Sequence, residues 1–476
     1  MPRSISRRSL LGAALAGAGL AVVAPRALCS PAQDGAALQV GNITGLHTVK
    51  VARIETPRST ADVRRALLHW PGRIAVGGGR YSMGGQTAVA GGLHLDMRGM
   101  NQLVWLRPQE QTVRVQAGMR WRDLLDHIDG HGLAVRTMQS YSNFTVGGAV
   151  SVNAHGRYMG HGPVGHSVRA LQLVLANGCV VEASRQRHPA LFSAALGGYG
   201  GVGVVTEVEL QLDRNSLLER HIAEMPLADY PAWFARSVRP DPACVLHNAD
   251  LLPPHFDRAT AISWRTTQRQ ATSTERLIPR GRSYPLERAA IWAATLPGGD
   301  ALQREVLRPA LQRRPAVVWR NHQASLDLRM LEPADRRSAT YALQEYFVPV
   351  PQLLPFAAQM AHVLQAHGAQ VLNVSIRHSP ADADGLLAWA REEVFSLVIY
   401  YRQGTGAQAQ DAVGVWTRAL IDAALACGGS YYLPYQLHAT RAQFEAAYPQ
   451  ADAFRAVKRE LDPQGRLSNT LWDRYI

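Results

Sequence analysis

The stretch "LFSAALGGYGGVGVVTEVEL", residues 191–210, decides the fold class, because it contains a GxGxxG motif made of Gly198, Gly200 and Gly203. A Rossmann dinucleotide site needs a strand before the glycines and a helix after them, so that the N-terminus of the helix meets the pyrophosphate. Here the apolar residues before the glycines follow helical spacing, and those after them alternate as in a strand. The order is reversed, so we expect these glycines to serve something other than a Rossmann site.

Composition narrows the class of protein. A chain of 476 residues with 47% hydrophobic residues is long enough for two or three globular domains. The net charge of +13 comes from scattered arginines, with Lys50 and Lys458 the only lysines, so we expect no nucleic-acid partner. Cys179, Cys244 and Cys427 lack CxxC spacing, which predicts small buried side chains rather than a zinc site or a disulfide framework.

The N-terminus is typical of an export signal. Arg7 and Arg8 directly precede an apolar run over residues 10–24, which is too short to span a bilayer comfortably. The arginine pair resembles a twin-arginine signal. We therefore expect a signal peptide over residues 1–30, export of the folded chain by the twin-arginine translocase to the periplasm or medium, and no permanent membrane span. The alternative is a chance arginine pair before an apolar core helix.

Two further glycine-rich loops interrupt predicted strands. In "VGGGRYS", residues 76–82, three consecutive glycines allow successive N–H groups to point into one concavity that suits a pyrophosphate. A glycine-rich hairpin loop is the alternative at this position. In "NFTVGGAVSVNAHG", residues 143–156, the glycines allow close approach of a flat ligand, and we expect His155 to follow a strand. With the opening stretch, these loops predict one extended ligand held along its length.

These segments together resemble the flavin domain of the vanillyl-alcohol oxidase/p-cresol methylhydroxylase family of FAD-linked oxidoreductases, in particular its sugar-lactone and alditol oxidases and the decaprenylphosphoryl ribose oxidase. The matching segments are VGGGRYSMGGQ, GGLHLDMRGMNQ, VQAGMRWRDLLDHIDGHGLAV, FTVGGAVSVNAHG, LVLANG, the opening stretch, QEYFVP and YPQADAFRAVKRELDPQGRLSN. The resemblance implies an α+β fold: a two-subdomain PCMH-type FAD-binding domain (46–215), a substrate domain of antiparallel sheet covered by helices (216–441), and a C-terminal segment (442–476) that returns to the FAD domain.

The resemblance also implies which residues bind FAD. They are Gly77, Gly78, Gly79, Arg80, Tyr81, Ser82, Thr145, Gly147, Gly148, His155, Gly156, Gly200, Gly203, Val204, Val205 and Asn469. Many relatives bond the flavin covalently through a histidine in the first glycine loop, and some add a cysteine before the TVGG motif. This chain has Tyr81 and Asn143 at those positions. We therefore expect FAD to be bound non-covalently.

Four residues are candidates for catalysis. Glu345 in "QEYFVP" and Arg377 in "NVSIRH" match positions that face the flavin in relatives, as proton acceptor and as stabiliser of an alkoxide. For both, the alternative is a surface charge on a half-exposed strand. Tyr435 in "GGSYYLPYQ" stands where relatives have a lysine, and Tyr432 where they have a histidine. We expect Tyr435 to replace that lysine either as a hydrogen-bond donor or as an acid or base, since a phenol beside a cation can lose its proton. His155 is either a flavin contact or base, or a structural histidine.

The resemblance and the export signal together predict the function. We expect an exported FAD-dependent oxidase or dehydrogenase that oxidises a CH–OH group of a sugar, alditol, lactone or related alcohol by hydride transfer to flavin N5. One alternative is a C=C reductase of the same fold, disfavoured by the scarcity of reduced nicotinamide outside the cytoplasm. The other is a non-catalytic periplasmic flavoprotein. Residues 269–300, rich in Arg, Pro and Thr, are either a flap over the site or a surface loop. The histidines near residue 155 lack metal-site spacing, so we expect no metal.

Overall fold

The computed structural model describes residues 38–293, 315–328 and 336–476, which belong to one unit. The predicted signal peptide, with Arg7 and Arg8, lies outside these residues, as does the last part of the predicted flap. In the described ranges, every helix is too short or too polar to cross a membrane.

The chain up to residue 214 alternates short strands with helices. Its strands are β1 (Gln39–Gly41), β2 (Thr48–Lys50), β3 (Arg53–Glu55), β4 (Ile74–Gly77), β5 (Leu93–Asp96), β6 (Leu103–Arg107), β7 (Thr112–Gln116), β8 (Leu133–Val135), β9 (Val168–Val174), β10 (Val180–Ala183) and β11 (Val204–Arg214). Its helices are α1 (Thr60–His69), α2 (Trp121–Ile128), α3 (Val146–Ser151) and α4 (Pro189–Ala195).

Most of these strands form two sheets that carry the glycine loops. One has three parallel strands in the order β3-β5-β4, and the other has the order β10-β9-β11-β7-β6 with β8 paired to β11. Because β4 and β5 run parallel, with Ile74 opposite Leu93, the glycine loop after β4 is not a hairpin turn, since hairpins join antiparallel strands. The hairpin alternative for residues 76–82 is therefore wrong.

The opening stretch has the predicted order of elements. Helix α4 precedes the glycines and strand β11 follows them, which confirms that the motif is not a Rossmann turn. The segment before His155 differs from the prediction, because residues 146–151 form helix α3 rather than a strand. Thr145 caps this helix by accepting from the N–H of Gly148, and the apolar run is buried on all sides. Periodicity cannot distinguish a strand from a helix in such a run.

The rest of the chain builds a larger sheet and its helices. Its strands are β12 (Leu217–Pro226), β13 (Cys244–Leu251), β14 (Arg258–Thr266), β15 (Val317–Trp319), β16 (Ala339–Pro349), β17 (Gln370–Ser379), β18 (Val394–Gly404) and β19 (Ser430–Tyr431). Its helices are α5 (Tyr230–Ser237), α6 (Pro285–Ala293), α7 (Arg320–Ala324), α8 (Leu353–Ala366), α9 (Ala407–Ala426), α10 (Arg441–Ala447), α11 (Ala451–Leu461) and α12 (Thr470–Tyr475).

These eight strands form one antiparallel sheet in the order β15-β12-β14-β13-β17-β18-β16-β19. Helix α8 buries an apolar stripe that includes Phe356, Met360 and Leu364, a spacing that places one helix face against the core. The α+β fold with a large antiparallel sheet and helices is therefore confirmed.

The end of the chain returns to the first sheet. The N–H of Ile74 at the start of β4 donates to the carbonyl of Arg466 at 2.7 Å, and the N–H of Ser468 donates back to the carbonyl of Ile74 at 3.0 Å. The domain boundaries near residues 215 and 441 stay predictions, because the described residues form a single unit.

The cysteines are only partly as predicted. Cys244 and Cys427 are buried, whereas Cys179 is exposed, so the prediction of burial is wrong there. Cys179 lies in the turn between β9 and β10, where the N–H of Gly178 closes the turn on the carbonyl of Leu175 at 2.8 Å. Its side chain therefore has no core to enter.

Candidate active site

Two adjoining cavities lie where the glycine loops face the eight-stranded sheet. The larger encloses about 1250 Å³ of empty space including its open mouth, and the smaller about 570 Å³. Both are lined by Gly78, Ser82, Thr145 and Gly148, so they form one continuous groove. The larger cavity also reaches side chains of β16, β17 and β18. An extended ligand in this groove would touch both halves of the chain.

The loop after β4 offers donors to an anion. Within the described part of the chain, the backbone N–H groups of Gly79, Arg80 and Ser82 donate to no protein acceptor. Arg80 has φ 60°, and its buried Nε has no partner. A Cβ at Gly78 would lie 2.1 Å from Oγ1 of Thr145, so only glycine fits there. Convergent, unpaired N–H groups of this kind suit a pyrophosphate.

Charge at this loop is positive. Arg80 Nη2 donates to Oδ2 of Asp96 at 2.9 Å, and Arg98 Nε donates to Oδ1 of the same carboxylate at 2.8 Å. Burial alone would raise the pKa of Asp96, but the two guanidinium groups outweigh it and hold the pKa below its usual value. Two cations therefore share one carboxylate, and the net positive charge favours an anionic cofactor group.

The opening stretch lines the smaller cavity. Gly200 and Gly203 lie on its wall with Val205, beside Gly147 and Gly148 of α3. Gly200 adopts φ 72°, a left-handed conformation that favours glycine. The glycines predicted to bind FAD in this stretch therefore face the groove.

Four predicted cofactor residues lie outside the walls of both cavities: Gly77, Gly156, Val204 and Asn469. A Cβ at Gly156 would lie 2.0 Å from the carbonyl oxygen of Met138, so that glycine serves chain packing. The side chain of Asn469 caps α12 and donates to the carbonyl of Tyr199 at 2.9 Å. Asn469 thus supports the opening stretch from behind, and its predicted direct contact with FAD is corrected to a positioning role.

Three of the four predicted catalytic residues form one hydrogen-bonded cluster in the larger cavity. His155 Nε2 lies 2.6 Å from Oε1 of Glu345, and the Tyr435 hydroxyl donates to Oε2 of Glu345 at 3.1 Å. Glu345 is 2% exposed, so the alternative of a half-exposed surface charge is wrong for this residue. The rings of Trp389 and Phe347 pack against His155.

The geometry assigns the proton on His155. An ionised carboxylate only accepts hydrogen bonds, so Nε2 of His155 carries the hydrogen that it shares with Glu345. In the neutral ring, Nδ1 then has a lone pair, and this buried atom has no protein partner. His155 is therefore arranged as a base, and Glu345 orients it, as in other carboxylate–histidine pairs.

The pKa shifts support an ionised Glu345 and a neutral Tyr435. Burial would raise the pKa of Glu345, but its electrostatic attraction and hydrogen bond to His155, together with Arg377, hold it below its usual value. Burial, followed by the negative charge of Glu345, raises the pKa of Tyr435 well above that of free tyrosine. Of the two roles predicted for Tyr435, the geometry favours the hydrogen-bond donor, because the neutral phenol donates to Glu345.

Arg377 and Tyr432 complete the wall near this cluster. Arg377 lies on β17, where it lines the larger cavity, and its buried Nε has no partner. The hydroxyl of Tyr432 donates to the carbonyl of Val152 at 2.8 Å, which ties the sheet to the loop after α3. Tyr432 therefore holds two halves of the site together, whereas Arg377 is free to meet a ligand.

The positions of covalent attachment in relatives hold other contacts here. The Tyr81 ring lies 4.5 Å from that of Phe144, and Asn143 accepts from the N–H of Leu328 at 2.7 Å. Sequence reasoning missed Tyr141 and Trp389, since neither lies in a motif. It also missed Lys458, although this lone lysine among arginines was a visible signal.

Comparison with known proteins gives a match for the part of the chain that carries the first two glycine loops. Residues 51–184 match the model of the FAD binding domain, a stretch that includes the first two glycine loops. These residues belong to the FAD-binding domain family. The unpaired N–H groups after β4 and the net positive charge around Asp96 fit the pyrophosphate of that cofactor, so FAD is the cofactor of this chain.

The FAD-binding domain is similar to that of several enzymes. L-galactono-1,4-lactone dehydrogenase of Brassica oleracea is 32% identical over 185 residues, which cover 38% of this chain and 30% of that enzyme. Cytokinin dehydrogenase 2 of Arabidopsis thaliana is 31% identical over 36% of this chain and 35% of its own length. L-gulonolactone oxidase of Mus musculus is 24% identical over 88% of this chain and 94% of its length. Matches above 30% identity thus span about a third of each relative.

Proposed function

We propose that this chain is an FAD-dependent oxidoreductase that oxidises a CH–OH group of a sugar, alditol, lactone or related alcohol. The observation that carries the proposal is the His155–Glu345–Tyr435 cluster on the wall of a cavity continuous with the FAD loops. The names of the lactone dehydrogenase and oxidase relatives support the same chemistry.

Each residue near the cavity has a separate role in the oxidation of the alcohol. When bound, FAD accepts the hydride that leaves the alcohol carbon. Nδ1 of His155 takes the hydroxyl proton, and the carboxylate of Glu345 stabilises the imidazolium that results. Arg377 places positive charge where the substrate oxygen becomes negative. Aromatic side chains around the cluster limit the access of water.

We test this proposal by anaerobic reduction of the flavin. Purified FAD-loaded protein is mixed with a panel of sugars, alditols and lactones, and the loss of flavin absorbance is followed by stopped flow. We expect at least one member of the panel to bleach the flavin. Bleaching by reduced nicotinamide alone would favour the C=C reductase, and no bleaching by any donor would favour a non-catalytic flavoprotein.

We also propose that FAD is held without a covalent bond. Tyr81 and Asn143 occupy the positions of the linking residues, and neither side chain is a histidine or a cysteine. After acid precipitation, we expect the yellow colour to stay in the supernatant. Flavin that remains in the protein pellet would contradict this proposal.

Export remains a proposal that rests on residues 1–30. Replacement of Arg7 and Arg8 by lysine should leave the unprocessed precursor in the cytoplasm, because the twin-arginine translocase reads the arginine pair. Fractionation followed by immunoblotting measures this. Normal processing and export of the double-lysine variant would show that the signal is of another kind.

A further inference from the structure

Two arginines and a tyrosine lie together beyond the His155–Glu345 pair. We call Arg157, Arg377 and Tyr141 the cationic cluster. Arg377 and Tyr141 line the larger cavity. Arg157 follows His155 by two residues, and each of the three groups influences the pKa of at least one other by its charge, so they are near neighbours.

The two guanidinium groups have few direct partners among the described residues. Neither Arg157 nor Arg377 forms an ion pair with any residue that the structure describes. Arg157 Nη1 reaches Oδ1 of Asn248 only at 3.5 Å, and the buried Nε of Arg377 has no partner. Cations removed from water without a partner are costly, so such an arrangement points to a ligand that supplies the missing charge.

The nearby carboxylates do not bond to these guanidinium groups. Both oxygens of Glu345 accept from His155 and Tyr435. Burial lowers the pKa of Arg157, and the repulsion by Arg377 lowers it further, by more than the attraction of Asp250 raises it. The side chain of Arg157 is partly exposed.

We propose that the cationic cluster binds a carboxylate of the substrate, so that the enzyme acts on a hydroxy acid or an open-chain sugar acid in preference to a neutral lactone. This inference rests on the proposed function. Arg377 and Tyr141 contact the carboxylate, and Arg157 is a positioning residue that adds positive charge beside them. Asp250 and Glu345 each supply one negative charge nearby, so a singly charged carboxylate fits better than a doubly charged phosphate.

The carboxylate is bound and not transformed. The neighbouring CH–OH carbon loses a hydride to FAD and its hydroxyl proton to His155, and it becomes a carbonyl carbon. The guanidinium of Arg377 and the phenol of Tyr141 donate hydrogen bonds to the carboxylate throughout, which holds the carbon that reacts in place.

Binding without turnover is the first test. Isothermal titration calorimetry compares methoxyacetate, which has no hydroxyl to oxidise, with the neutral methoxyacetamide, both added to FAD-loaded protein. We expect methoxyacetate to bind about 10- to 100-fold more tightly, as for a hydrogen bond to a charged group. Equal binding of the two compounds, or tighter binding of inorganic phosphate, would overturn the carboxylate assignment.

Variants at Arg157 separate its charge from its packing. Arg157→Met should lose most of the preference for methoxyacetate, and Arg157→Lys should keep much of it because the charge remains. Arg269→Met removes an arginine whose side chain is 70% exposed and should change nothing. If Arg157→Met binds methoxyacetate like the wild type, the proposal is wrong. A loss in both Arg157 variants with FAD retained would show that only packing matters, which also contradicts it.

Substrate preference is the second test, and it separates this inference from the proposed function. L-gulonate and L-gulono-1,4-lactone share one carbon skeleton, and we expect the acid to reduce the flavin faster. If lactones reduce the flavin and methoxyacetate does not bind, the function stands and the inference fails. If methoxyacetate binds and no alcohol reduces the flavin, the carboxylate site is supported and the proposed function is contradicted.

Discussion

The hydrogen bond between His155 and Glu345 joins residues 190 positions apart, one in the loop after α3 and one on β16. Each oxygen of Glu345 already has a partner, since His155 contacts Oε1 and Tyr435 donates to Oε2. Its effect on the reaction therefore passes through the orientation and charge of His155. This makes the carboxylate a positioning group, although the sequence pattern presented it as the proton acceptor itself.

Loss of the Glu345 charge should slow the chemistry and leave the cofactor in place. In Glu345→Gln, the amide can turn its NH2 group toward His155, which favours the ring form with its proton on Nδ1 and removes the base. We expect flavin reduction to slow by about 10²–10³ or more. Stopped-flow reduction with the first active substrate measures this. A wild-type rate would show that the His155–Glu345 pair is structural.

Two neighbouring tyrosines offer a matched comparison. Tyr435→Phe removes a hydrogen bond to Glu345, and we expect flavin reduction to slow by about tenfold, near the effect of one hydrogen bond to a charged group. Tyr432→Phe removes a bond to the backbone of Val152, which should lower the free energy of unfolding by about 1 kcal/mol and slow flavin reduction less than Tyr435→Phe does. Equal rates in the two variants would contradict the role given to Tyr435.

The sequence indicated Glu345, Arg377, His155 and Tyr435 as site residues, because each lies in or beside a recognisable motif. It could not show which of them pair, since hydrogen bonds between distant segments leave no local pattern. The choice between a hydrogen-bond donor and an acid or base at Tyr435 stayed open for the same reason, because burial and Glu345 set its pKa and neither is visible in a short stretch.

At the scale of elements, helix α11 supports the opening stretch, residues 191–210, by hydrogen bonds from Lys458. Nζ of Lys458 donates to the carbonyl of Gly201 at 3.0 Å and to the carbonyl of Leu467 at 2.6 Å. It also pairs with Asp462 at 3.1 Å. The buried ammonium of Lys458 thus links the opening stretch to the C-terminal segment at Leu467. Cofactor binding should depend on this link.

Lys458→Met should weaken FAD binding about tenfold or more, because the carbonyl of Gly201 loses its donor and the loop loosens. Fluorescence titration of FAD into apoprotein measures the dissociation constant. Arg459→Met, exposed on the same helix, is the control and should bind FAD normally. Lys458→Met also removes the counter-ion of Asp462, whose carboxylate still accepts from the backbone N–H groups of Arg466 and Leu467. The double variant with Asp462→Asn therefore removes the charge and keeps one oxygen as acceptor for those groups. Normal FAD affinity in that double variant would show that Lys458 does not support the cofactor site.

At the same scale, helix α3 was the clearest error of prediction. Its residues are small or β-branched and apolar, a composition that suits a buried strand. The helix forms because Thr145 caps it and because Gly147 lets it approach Ala117, where a Cβ would lie 2.6 Å from the Ala117 methyl group. Both causes are visible only once the partner loop is in place.

Across the whole molecule, buried neutral histidines couple stability to pH. Burial lowers the pKa of His94 to about 4, of His438 to about 4 and of His247 to about 3. In the unfolded chain these rings take up a proton near pH 6.5, so between pH 6.5 and 4 the unfolded state binds more protons. The free energy of unfolding should therefore fall as the pH falls through this window.

His94→Gln tests the contribution of one buried histidine to this loss of stability at low pH. The wild-type ring is fully buried and bonded to the carbonyl of Thr87 at 2.9 Å, and a glutamine amide can keep that bond. Urea unfolding at pH 7 and pH 4.5 should show a smaller loss of stability in the variant, by about 2–3 kcal/mol. An equal loss in variant and wild type would show that other groups govern the acid sensitivity.

The overall architecture was predictable to the level of two halves. The family resemblance implied an FAD-binding domain over residues 46–215 and, after it, an antiparallel sheet covered by helices. The order of the eight strands could not be predicted from the sequence, because β16 pairs with both β18 and the much later β19. Pairing of that kind depends on contacts between distant segments and has no signature in a single stretch.

The bond between His155 and Glu345 has a consequence for how such a chain can diversify. One partner is encoded in the flavin half and the other in the sheet half, so exchange of whole halves between relatives would separate a base from the carboxylate fitted to it. Recombination at the midpoint of the gene is therefore a poor route to a new substrate. Point substitutions on the cavity wall, at positions such as Tyr141 and Arg377, leave the pair intact, and new preferences should accumulate there.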